Sequence, residues 1–179
     1  MALREQAFGL LPVTEVDAGL LTAFRCGKPH LDQYLVGCAD MHRDRLGHTS
    51  VVFHEDVFGA AIGYFTLAND AIPLSTSEQG NLGLHDQIDL KAYPAVKICR
   101  FAVSEALQGQ GVGPQILELV LGEVLGSASL SAARLVTVDA DNEPSVLRFY
   151  VRHGFEISLW ADKIAKNNAP GNKAPSAAL

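Results

Sequence analysis

Gln108-Gly109-Gln110-Gly111-Val112-Gly113 stands between an apolar stretch, Ala95 to Val103, that reads as a strand and a run from Pro114 to Leu125 that reads as a helix. Glycines at every second position let several backbone N–H groups converge on one concavity with little side-chain obstruction. The helix start adds about half a positive charge, which suits an anion such as a pyrophosphate. Pro114 fits the first helical turn, where its missing N–H is not needed. A Gly-rich turn also serves simply as a tight turn, and a dinucleotide-binding fingerprint is the obvious rival. Position argues against that rival, whose loop follows the first strand of its unit with an acidic residue about 20 positions on; here the loop follows the fourth strand read from the N-terminus. The stretch also lacks the G-x-x-x-x-G-K-[ST] pattern of a P-loop.

Working upstream, Phe8 to Thr14 reads as a strand, and Asp17 begins a helical pattern through Leu20, Leu21 and Phe24. From Pro29 to Arg45 the spacing of Leu31, Tyr34, Leu35, Cys38 and Met41, with Leu46 just beyond, predicts one amphipathic helix. Thr49–His54 and Val57–Leu67, parted by Glu55-Asp56, predict an antiparallel hairpin. The stretch from Asn69 to Tyr93 has no clear period and reads as a long loop with at most short elements, of the kind that often borders a functional site. Downstream, Leu135 to Ala140 is a strand, so strand, Gly-rich turn, helix and strand make a βαβ-like unit. Asn142 is the expected N-cap of a helix reaching about His153, Gly154 ends it, and Phe155 to Trp160 forms a last strand. One α/β domain over residues 1–163 is expected, with a disordered tail over residues 164–179.

Composition limits the partners. No apolar run approaches the roughly 18 residues of a membrane span, and the polar opening, Met1 to Gln6, does not read as an export signal. Three cysteines without a C-x-x-C pair suit reduced thiols in a cytoplasmic protein. A net charge of −6 opposes non-specific attraction to nucleic acid, which draws on clustered Lys and Arg.

The loop resembles the Q/R-x-x-G-x-G/A pyrophosphate loop of the GNAT superfamily without a mismatch, and Arg100-Phe101-Ala102-Val103 is similar to the strand before it. Ala140-Asp141-Asn142-Glu143-Pro144-Ser145 resembles that family's A-x-N-x-x-A, ending in Ser, and Phe149-Tyr150-Val151-Arg152-His153-Gly154-Phe155 its F-Y-x-x-x-G-F. The resemblance implies an α/β (α+β) fold: a mixed, mostly antiparallel sheet of six to seven strands flanked by about four helices, with strands 4 and 5 splayed. It also implies acetyl-CoA as cosubstrate, held by Phe101, Ala102, Val103, Gln108, Gly109, Gln110, Gly111, Val112, Gly113 and Asn142.

Phe24-Arg25-Cys26-Gly27 followed by Leu31-Asp32-Gln33-Tyr34-Leu35 is similar to the F-x-C-G and L-D-x-[FY]-L of GNAT toxins that acetylate aminoacyl-tRNA and pair with ribbon-helix-helix antitoxins. That likeness implies such partners, and a homodimer. The acidic balance stands against an RNA acceptor, for which Arg25, Lys28, Arg43 and Arg45 form the candidate basic patch. A solvated helical face is the plain alternative for those four residues. An acceptor that is a small amine or a protein N-terminus, or a CoA-binding module without catalysis, are the competing readings.

Acetyl transfer to an amine needs a neutral nucleophile, stabilisation of the developing oxyanion and a proton for the departing thiolate. By the resemblance Tyr150 is the candidate acid, since a phenol of pKa about 10 keeps its proton at neutral pH; core packing of its ring is the alternative. By the likeness to the toxins Arg100 is the candidate acceptor-facing residue, an ordinary ion-pair partner being the alternative. Glu105 and His85 are weighed as bases and left as surface residues. Cys26-x-x-x-His30 and Cys38-x-x-x-His42 have a spacing that can hold zinc, but packing accounts for Cys38 and no metal site is expected.

Overall fold

The computed structural model describes residues 7–84, 90–126, 132–159 and 177–178. In chain order the strands are β1 (Phe8–Pro12), β2 (His48–His54), β3 (Gly63–Ile72), β4 (Tyr93–Val103), β5 (Leu135–Val138), β6 (Glu156–Ile157) and β7 (Ala177–Ala178). The helices are α1 (Ala18–Ala23), α2 (Pro29–Gly37), α3 (Ala39–Arg43), α4 (Thr76–Asn81), α5 (Val112–Gly126) and α6 (Pro144–Arg152). Two compact units share them, one of Met1–Ala68 with Ile98–Gly126, the other of Asn69–Lys97 with Ser127–Leu179.

In the first unit the strand order is β1-β2-β3-β4. β1 and β2 pair antiparallel from Phe8↔His54 to Pro12↔Ser50, and β2 and β3 from His48↔Leu67 to Val52↔Gly63. β1 alternates half-buried and exposed positions, as an edge strand with one covered face does, whereas β2 and β3 carry unbroken buried runs. The core gathers Val13, Leu21, Phe24, Leu35, Val51, Tyr64 and Ala102; burying each larger apolar side chain contributes about 1.5–3 kcal/mol. α1 starts where Asp17 accepts a hydrogen bond from the Gly19 N–H at 2.8 Å.

Two expectations are corrected here. The single helix from Pro29 to Arg45 is two, broken at Cys38, whose φ of −85° and ψ of −1° lie at the margin of the helical region while its thiol donates to the Leu35 carbonyl at 3.4 Å. Gly37 just before it holds the helix weakly. Met41 and Leu46, expected on the buried face, are exposed. The hairpin turn is also longer than read: an isolated bridge, His54↔Val57, closes it, Gly59 takes φ 71°, and β3 starts only at Gly63.

In the second unit the order is β3-β4-β5-β7-β6, with β7 antiparallel to both β5 and β6. β4 and β5 are parallel neighbours, which require a long crossover connection. Ile72, Tyr93, Ala95 and Leu135 form the core, flanked by Leu74, Leu82 and Leu84. The long stretch after Asn69 is more ordered than its composition suggests, because Ser75 and Glu78 close a capping box at the start of α4. Thr137 donates to Asp70 at 2.8 Å, tying β5 to the end of β3. Of the strand read from Phe155 to Trp160, the described residues show β6 at Glu156–Ile157, and Trp160 lies outside them, as do residues 161–176 and 179.

Candidate functional site

β4 ends at Val103, a 3-10 turn follows at Glu105–Leu107, and α5 begins at Val112. Between them Gly109 and Gly111 take φ of 74° and 82°, the left-handed conformation that glycine adopts without strain. Gln108 and Gln110 fold back onto the protein. The Gln108 amide donates to Cys26 O and Val103 O, each at 2.9 Å, and Gln110 donates to Ala106 O at 2.7 Å.

A methyl group on Gly109 or Gly111 would meet none of the described residues within 4 Å, so among them the loop opens onto free space, and the first turn of α5 carries no acidic residue. Both features fit a bound pyrophosphate. Because the space is open but the φ is not, Gly111→Ala is expected to weaken CoA binding by about tenfold, the strain of a left-handed alanine being roughly 1–2 kcal/mol. Gly122→Ala, an exposed position inside α5 with ordinary φ, should leave binding unchanged. Isothermal titration with CoA reads both.

Arg100, on β4, is half-buried. Its guanidinium donates to Cys99 O at 2.6 Å and lies 5.0 Å over the ring of Tyr34, which stacks on Tyr64 with centroids 6.2 Å apart. Tyr64 donates to the Leu31 carbonyl at 2.8 Å, and burial pushes its phenol pKa well above the usual range. The strand beyond Arg100 is tightly backed: a methyl at Gly63 would lie 2.7 Å from Ala102 O and 2.8 Å from Ile116 Cδ1. Phe101 and Val103 are half-buried on either side of buried Ala102.

Tyr150 and Asn142 belong to the second unit. Tyr150, on α6, is 6% exposed, its ring edge-on to Phe149 at 5.1 Å and Phe155 at 5.3 Å. Burial first, and the charge of Asp141 second, raise its pKa, so it stays protonated through neutral pH. Asn142 is exposed and does not cap α6. The N-cap is Glu143, without a side-chain cap, because Pro144 sets the first helical position with its own fixed φ.

Of the weighed bases, Glu105 is exposed and His85 lies outside the described residues. The thiols of the zinc-like spacing face carbonyls, Cys26 at 3.7 Å from Lys28 O and Cys38 toward Leu35 O, while His42 Nδ1 accepts from the Thr49 N–H at 3.1 Å. Among the described residues no group of three or more His, Cys, Asp or Glu can hold a metal. In the basic patch Arg25 donates to Thr22 O and Phe24 O, and Arg43 pairs with Asp40 at 2.7 Å. Sequence reasoning assigned no role to Asp32, Tyr34 or Tyr64, although the L-D-x-[FY]-L run that holds the first two stood out in the sequence.

Residues 76–157 match the family model described as acetyltransferase (GNAT) domain. That match takes in β4, the Gln108–Gly113 loop, α5 and α6. It is 28% identical over 143 residues, 79% of this chain and 81% of the relative, to a tRNA-acetylating toxin of Mycobacterium tuberculosis (strain ATCC 25618 / H37Rv). Its fold resembles that of AtaT complexed with acetyl-methionyl-tRNAfMet, with a TM-score of 0.74, 20% identity and coverage of 96% of this chain and 94% of the other. It also resembles a mutant AtaT toxin bound to the C-terminus of the antitoxin AtaR and acetyl-CoA, with a TM-score of 0.69, 17% identity and coverage of 97% and 92%. No helix among the described residues is long and apolar enough to cross a membrane.

Proposed function

We propose that this protein transfers the acetyl group of acetyl-CoA to the α-amino group of aminoacyl-tRNA in the cytoplasm, as a toxin held in check by a ribbon-helix-helix antitoxin. The observation that carries the reading is the likeness to a tRNA-acetylating toxin over 79% of the chain, with the Gln108–Gly113 loop opening α5. Acetyl-CoA supplies the activated acetyl thioester. The backbone N–H groups of residues 109–113 bind its pyrophosphate, the Phe101–Val103 backbone orients the acyl end, and Asn142 contributes from the segment before α6. Tyr150 holds at Oη the proton that a departing thiolate requires. No side-chain base is needed, since an α-amine of pKa about 8 is roughly one-tenth neutral at pH 7. Arg100, fixed over Tyr34, faces the acceptor.

Arg25, Lys28 and Arg45, with Arg43 shared with Asp40, supply the local positive charge that an RNA acceptor needs, and a second copy of the chain doubles it. One observation favours a different acceptor, a small amine or a protein N-terminus: the net charge of −6. A thiol-release assay with acetyl-CoA separates the two. Turnover with charged tRNA, none with uncharged tRNA and a steep loss with added salt are expected; turnover on small amines alone removes tRNA from the reading.

A further inference from the structure

Asp32 has no part in the chemistry assigned so far, yet it begins a chain of contacts that ends at the cofactor loop. Its Oδ1 accepts a hydrogen bond from the Cys26 N–H at 2.9 Å. The Cys26 carbonyl accepts from the Gln108 amide at 2.9 Å, and the same amide donates to Val103 O at 2.9 Å. Both amide hydrogens of Gln108 have partners, one at the end of β4 and one on the N-terminal turn, so its side chain is fixed from two sides. Alongside, the Glu105 N–H donates to Arg25 O at 2.9 Å. The turn that presents these two carbonyls depends on Gly27 at φ 81°. Asp32 itself lies in the first turn of α2, where a carboxylate is favoured, and α2 is pinned to the sheet through the Tyr64 hydroxyl on Leu31 O.

The geometry points to Asp32 as a positioning residue for acetyl-CoA: it anchors the Phe24–Gly27 turn, whose carbonyl holds Gln108, so that the Gln108–Gly113 loop is preset before the ligand arrives. Presetting a loop raises affinity by removing the ordering cost of binding. The inference rests on that loop as the cofactor site and is independent of the acceptor.

Cys26 supplies a reporter, since burial raises its thiol pKa to about 11 and the hydrogen bond with Asp32 adds to the rise. The test is CoA titration of the wild type, Asp32→Ala, Asp32→Asn, Gln108→Ala and the Asp32→Ala/Gln108→Ala pair, together with iodoacetamide alkylation of Cys26 followed by peptide mass spectrometry. Asp32→Ala should weaken CoA about tenfold, the loss of one hydrogen bond to a charged group. It should raise the KM for acetyl-CoA more than it lowers kcat. Asp32→Asn keeps an acceptor oxygen and should recover most of the affinity. The double variant should bind about as weakly as the weaker single one, because the two residues act through one turn. Saturating CoA should slow Cys26 alkylation about fivefold in the wild type, by reciprocity of the coupling.

Unchanged CoA affinity in a folded Asp32→Ala, or full additivity in the double variant, overturns the inference. If Asp32→Ala does not fold, the wild type decides: slower alkylation with CoA supports it, and an unchanged rate overturns it. A wild type that binds no CoA refutes the cofactor loop and the inference with it, whereas CoA binding without coupling to Asp32 refutes the inference alone.

Discussion

Tyr150→Phe is expected to lower acetyl transfer by about 10²–10⁴-fold, the usual worth of a positioned general acid, with CoA affinity and Tm almost unchanged. The separation follows from the packing. Phenylalanine keeps the ring that Phe149 and Phe155 meet edge-on and removes only the hydroxyl. Because burial and Asp141 raise the phenol pKa above its ordinary value, the wild-type rate should also show no fall from tyrosine ionisation between pH 7 and about pH 10. Single-turnover kinetics with acetyl-CoA in excess measures the step. A Tyr150→Phe protein within threefold of wild type would leave the residue a packing role only.

The second large effect is on stability. Gly63 lies where β3 passes β4, and any Cβ there meets the Ala102 carbonyl oxygen at 2.7 Å and Ile116 Cδ1 at 2.8 Å. The Ile116 methyl can rotate away, but the carbonyl belongs to a strand and cannot. Gly63→Ala should therefore cost about 1–3 kcal/mol and lower Tm by roughly 2–10 °C. It should weaken CoA as well, because the displaced strand is the one assigned to the acyl end of the cofactor. Gly9→Ala on β1, where a methyl meets none of the described residues within 4 Å, is the control and should hold or slightly raise Tm. Thermal unfolding followed by circular dichroism, with and without CoA, distinguishes the two.

The parts of the fold that sequence made legible are those governed by local rules. The loop could be read because glycines at 109 and 111 announce left-handed backbone, and both take positive φ. The helix after it starts at Val112, two residues before Pro114. Where the reading failed, a second local preference outweighed the first. Apolar spacing predicted one helix through Cys38, but Gly37 and the Cys38 thiol on a backbone carbonyl ended it. Asn142 is a good capping residue, yet Pro144 decided where α6 begins. Ser75 and Glu78 are an S-x-x-E signal that was visible and passed over, because no apolar run follows it. The tyrosine pair under Arg100 and the reach of Gln108 to Cys26 were not legible, since they join residues far apart in sequence, and hydrophobic periodicity describes only neighbours.

Gln108 meets the Cys26 carbonyl across a separation of 82 residues. For heredity this makes the two stretches one trait. A crossover between codons 27 and 108 that joins the front of this gene to the back of a distant one would bring together a turn and a loop that had never been matched. The hybrid could keep every glycine of the loop and still grip its cofactor poorly. Shuffled genes of this kind should tolerate junctions beyond α5 better than junctions within that interval.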